Sequence, residues 1–145
     1  MVTVASLRLP EIPACLHLQQ MEPYERFHAW RACHELNLLV AQETDRWPKS
    51  ERFELTAQLR RAAWSAVANI VEGSAKRGPR EFRRYLDFTI GSLAEVSYAL
   101  RFAVDRGILS GEAQRVLETK HAEAARLTWG LYKRVAATAK ATPSG

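Results

Sequence analysis

The sequence predicts an all-α protein, an antiparallel up-down-up-down four-helix bundle. Three observations carry that expectation. Four long segments place apolar residues three or four positions apart, no run alternates polar and apolar residues as a half-buried strand would, and short breaks marked by Pro, Gly or Ser separate the segments. The 145 residues suit one domain able to bury its own core. With 47% hydrophobic and 26% charged residues, the composition is globular rather than disordered.

The first helix is expected from about Tyr24 to Arg46, with Cys33, Leu36, Val40 and Trp47 near one face and Pro48 as its stop. The second is expected from Ser50, a good N-cap, to about Ala75; Leu55, Leu59, Ala62, Ala66 and Ile70 form its stripe, and Gly73 and Gly78 bracket its end. The third opens at Pro79, a residue favoured in the first helical turn, and carries Phe82, Leu86, Thr89, Leu93, Val96, Leu100 and Ala103 before Gly107. The fourth, capped by Ser110, carries Val116, Leu117, Ala124, Leu127, Leu131 and Val135. Connections of about two to five residues imply antiparallel neighbours, each helix about 35–40 Å long. The expected boundaries are a flexible leader or alternative-start segment at 1–23, the bundle at 24–138 and a frayed tail at 139–145.

The second helix has one face too many. Advancing about 100° per residue from Leu55, the core stripe stays within about 80° of the origin. Gln58, Arg61, Ser65, Asn69 and Glu72 form a polar line beside it, and Phe53, Ala57, Trp64, Val67 and Val71 form a second apolar group behind it. A lone bundle should be polar there, so a second chain is expected on that face, with Trp129 of the fourth helix as a further interface residue. The polar line is expected to join Ser92 and Glu95 of the third helix in a network that sets register, Arg61 pairing with Glu95.

Chemistry is sparse. Two Glu-x-x-His matches, Glu25–His28 and Glu118–His121, fall roughly 20 Å apart along the bundle, too far to share a metal pair. No G-x-S-x-G, phosphate loop or H-E-x-x-H pattern is present, and Cys33 reads as packing. The expectation is a non-enzymatic protein without metal or cofactor. Two cysteines are too few for a disulfide framework and no apolar run spans a bilayer, which points to a reducing cytoplasm and no membrane. The formal charge is +5 and the pI about 9.6. Lys76, Arg77, Arg80, Arg83 and Arg84 crowd the turn between the second and third helices, the local density that phosphate binding needs.

The segments WRACHELNLLV, ERFELTAQLRRAAWSAVANIVEG, EFRRYLDFTIGSLAEV and LRFAVDRGIL resemble the bacterial four-helix bundle proteins related to the intervening-sequence proteins of large-subunit ribosomal RNA genes. The resemblance covers about Phe27 to Tyr132. Val71 departs from it slightly, standing where the family commonly has alanine, and the first twenty residues have no counterpart. It implies a cytoplasmic homopentamer. Relatives include the accessory variability proteins of diversity-generating retroelements, which bind a reverse transcriptase and nucleic acid through basic surfaces. With the basic turn of this chain beside that resemblance, RNA or a reverse transcriptase-like enzyme is the expected partner. The alternative is a protein–protein interaction module that binds no nucleic acid.

Overall fold

The computed structural model describes residues 7–11 and 21–143. A 3-10 turn at Pro23–Arg26 leads into α1 (His28–Thr44); a second, at Lys49–Glu51, precedes α2 (Leu55–Ser74), which is followed by α3 (Pro79–Asp105) and α4 (Gly111–Ala141). No strand occurs among the described residues. Each helix packs on two neighbours, α1 on α2, α2 on α3, α3 on α4 and α4 back on α1, while the diagonal pairs stay apart. The core lies between them, with Leu36 and Val40 of α1, Leu59, Ala66 and Ile70 of α2, Leu86 and Val96 of α3 and Leu117 and Ala124 of α4 all sealed from solvent.

Helix ends differ from the sequence expectation, each for a local reason. Pro23 initiates a 3-10 turn, and Phe27 then takes an extended conformation (φ −95°, ψ 124°), so α1 starts at His28 rather than Tyr24. Its chain stays helical only to Thr44. Ser50 does not cap α2: it lies in the 3-10 turn, and the helix begins at Leu55 behind Glu54. At 1.5 Å per residue, α1 and α2 are therefore about 26 and 30 Å long, shorter than expected, and residues 45–54 form a longer connection than expected. Pro79 opens α3 as expected, behind Gly78 at φ +85°, a left-handed geometry that suits glycine. Ser110 precedes α4 but its hydroxyl makes no cap hydrogen bond. That helix runs through 139–141, part of the expected tail, with Ala139 buried; it ends at Thr142, whose extended backbone is what the following Pro143 favours.

Side chains tie the helices at defined heights. Arg60 of α2 donates from Nε to Thr44 Oγ1 (2.7 Å) and from Nη2 to the Ala41 carbonyl (3.3 Å) and Asp45 (2.7 Å), covering the last turn of α1. Thr89 Oγ1 of α3 donates to the Ala66 carbonyl at 2.9 Å inside the core. Lys120 of α4 bridges Glu35 of α1 (2.6 Å) and Glu123 (2.7 Å). Partial burial pulls the Lys120 pKa down, but the bonds to Glu123 and Glu35 outweigh it and hold the ammonium above its ordinary value. Of the expected leader, residues 1–6 and 12–20 lie outside the described residues; within 7–11, Leu7 rests against the core and the Arg8 carbonyl accepts from Gln42 Nε2 at 2.8 Å.

Candidate nucleic-acid interface

The turn joining α2 to α3 owes its shape to two glycines with different tasks. Gly73 is buried one turn before the break and lets α3 approach closely: a methyl group built there would sit 2.6 Å from Tyr85 Cβ and 3.0 Å from a ring carbon of Phe82. Gly78 then supplies the left-handed residue that turns the chain into α3. Around this corner, residues 76–84 hold Lys76, Arg77, Arg80, Arg83 and Arg84 against Glu81, a local formal charge of +4. Lys76, Arg77, Arg80 and Arg84 are exposed and Arg83 is half-buried.

Aromatic rings lie among these cations. The Lys76 ammonium is 5.5 Å from the Tyr85 ring centroid, and the Arg84 guanidinium is 5.2 Å from Tyr85 and 5.8 Å from Phe88. Arg84 also pairs with Glu81 at 3.4 Å. Such exposed pairs are weak, so the corner keeps its positive field. Two of the five cations, Lys76 and Arg84, thus lie against rings, an arrangement that places positive charge beside flat apolar surfaces.

The polar line of α2 divides. Ser65 and Asn69 form its inner part: Asn69 Nδ2 donates to the Ser65 carbonyl (2.8 Å) and hydroxyl (3.1 Å), and Ser92 Oγ of α3 donates to Ser65 Oγ at 2.8 Å. Tyr85 OH reaches Glu72 Oε1 at 3.4 Å. Gln58, Arg61 and Glu95 are exposed, and no ion pair joins Arg61 to Glu95 among the described residues. The reason is angular: Arg61 lies about 40° further from the core stripe than Ser65, which carries it past the side that faces α3.

Phe53, expected on the second apolar face, lies in the turn ahead of α2 and is 85% exposed beside the end of α3. On the face itself Trp64 is 68% exposed, Val67 packs partly on the core and Val71 is half-buried. Trp129 is exposed on α4 and stacks on Tyr132 (centroids 5.3 Å apart, planes at 7°). Because α2 and α4 are diagonal, one chain does not bring Trp64 and Trp129 together.

The histidine motifs are apart as well. His28 is exposed, and His121 Nε2 donates to the Leu93 carbonyl of α3 at 2.7 Å, a bond that places the ring proton on Nε2. No group of three or more metal-ligating side chains occurs among the described residues, and no helix there is long and apolar enough to cross a membrane.

Sequence reasoning missed a second seam on α3. Phe88, Gly91, Glu95, Tyr98 and Phe102 follow one another at alternating spacings of three and four on the exposed side of that helix. The signal was present as a heptad-like spacing, but the stronger apolar stripe of the same helix masked it.

Comparison with curated proteins finds no match. Comparison with protein families matches residues 25–130, most of the bundle, to one described as 23S rRNA-intervening sequence protein. With the four packed helices and the matched span together, the chain belongs to the 23S rRNA-intervening sequence protein family.

Proposed function

We propose that this protein is a non-enzymatic, oligomeric helical scaffold that binds RNA, or an RNA-bound processing enzyme such as a reverse transcriptase, through the basic corner between α2 and α3. The observation that carries the reading is the +4 cluster at residues 76–84, with Tyr85 and Phe88 against its cations. In this reading the helices alternate up and down. The descending order of Glu72, Ser65 and Gln58 on α2 opposite the ascending order of Tyr85, Ser92 and Glu95 on α3 supports that arrangement.

Assembly is the second part of the proposal. Copies pack side by side, the Trp64 face of one meeting the Trp129 face of the next. Two different patches on opposite sides of a subunit make a heterologous contact, which closes into a ring when the rotation allows. Five copies is the number that the resemblance implies. A ring would repeat the basic corner around one rim and raise affinity for a long polyanion through multivalency.

The test is binding of a single-stranded RNA across a salt series, with the five cations replaced by Gln. The unmodified protein binds with affinity falling as salt rises, and the variant shows a slope shallower by up to about 0.7 per cation removed. Absence of salt-dependent RNA binding by the unmodified protein overturns the reading. The alternative, a protein-interaction module without nucleic-acid binding, is favoured by the exposure of Phe53 and Trp64 and predicts that same absence.

A further inference from the structure

A groove of about 500 Å³ opens between the start of α2 and the last turns of α3, flanked by rings of Phe53, Tyr98 and Phe102. Tyr98 is 70% exposed and Phe53 85%, so these rings project into solvent rather than filling the core. Three carboxylates, Glu51, Glu54 and Glu95, line it against one guanidinium, Arg106. The lining thus carries a formal charge of −2 in a chain of overall charge +5. It lies about 30 Å along α2 from the basic corner.

The groove already displays its preference within the chain. Arg106 pairs with Glu51 at 3.4 Å and sits 5.9 Å from the Phe102 centroid; Arg52 sits 5.9 Å from the Phe53 centroid. Tyr98 has neither arrangement, and Glu54 and Glu95 form no ion pair among the described residues. Open rings beside unpaired carboxylates favour a cation by ring quadrupole and by charge together.

We propose that this groove docks a basic polypeptide segment of a partner protein, an Arg or Lys side chain entering beside Tyr98 toward Glu54 and Glu95. Charge complementarity selects that occupant. A nucleic acid would bring phosphates to the carboxylates. A second copy in the side-by-side assembly brings its Trp129 face to Trp64, about 120° around α2 from Gln58, which borders the groove. The site is separate from the basic corner and does not depend on RNA binding there.

The experiment titrates a fluorescent hexa-arginine peptide into the full chain at moderate salt. Saturable binding is expected, weakened about fivefold to tenfold by Glu54→Gln with Glu95→Gln, since each exposed charge pair or ring contact contributes modestly. Tyr98→Ala weakens it independently, Tyr98→Phe retains it, and Gln replacement of the five corner cations leaves it unchanged. No saturable binding, or equal affinity in the groove variants, overturns the proposal. A drop in oligomer mass in those variants also overturns it, because a second copy then covers the groove, as does loss of RNA binding with them.

Discussion

Cys33 shows how a residue legible in the sequence acquires physical consequences only from its surroundings. Its place on the apolar stripe of the first helix marks it as a packing residue, and it is buried there with Sγ 3.7 Å from Thr128 Oγ1 of α4. Burial pushes the thiol up from 9.0 to about 11, the contact with Thr128 offsetting part of the rise. The folded-state value is raised, so its contribution is fully present below about pH 9. Between there and about pH 11 the unfolded chain loses the proton while the folded one keeps it, and stability falls by up to about 3 kcal/mol. Denaturant unfolding followed from about pH 8 to about pH 11 is expected to show a shallower decline in Cys33→Ala than in the unmodified chain. Equal declines would mean that Cys33 is not held as a thiol. Arg60 is the converse case. Nothing in its local sequence says that it covers the last turn of α1, because that depends on where α1 ends and how high α2 stands beside it.

At the scale of helices, periodicity located all four, and the clearest boundary signals, Pro79 at the start of α3 and Gly107 just past its end, fall where the chain turns. Ends without a strong stop were less legible. Ser50 has a good capping side chain, yet the backbone takes a 3-10 turn around it, and α2 starts beyond. Gly73 is the most instructive position. By composition it reads as a helix terminator, but it lies within α2 and permits the close approach of α3. Gly73→Ala separates the two roles. An alanine in an ordinary helical position stabilises by about 1 kcal/mol, whereas a methyl pressed against Tyr85 Cβ costs about 1–3 kcal/mol. Thermal unfolding is expected to show net destabilisation, since a Cβ belongs to the backbone-proximal part of Tyr85 and has no rotamer by which to withdraw. A raised melting temperature would show that the two helices part without cost.

For the whole molecule, the question is what covers the outer face of α2. An exposed Trp beside Val67 and Val71 on that face predicts association, and replacing Trp64 by glutamate places charge where apolar contact is needed. Light scattering on Trp64→Glu is expected to give the mass of a single 16.4 kDa chain, against a multiple of it for the unmodified protein. If the unmodified protein is itself a monomer at micromolar concentration, the side-by-side assembly fails. The candidate RNA-binding corner was legible because its cations lie within nine consecutive residues. The acidic groove was not, because Glu51 to Gln58 and Glu95 to Arg106 are distant in the chain and meet only when α2 and α3 pack.

The sequence by itself determined the all-helical class, the core stripes and the basic corner, since each depends on residues near one another along the chain or on one helical period. Tertiary structure decided which polar residues face a neighbour and which face water. Arg61 and Ser65 are one turn apart on the same helix, yet about 40° of rotation leaves the first in solvent and puts the second against Ser92. It also decided that Trp64 and Trp129 lie on diagonal helices and that three rings and three carboxylates share a groove. Those outcomes depend on how high and at what rotation each helix sits against the next, which packing of the whole core sets and no single period encodes.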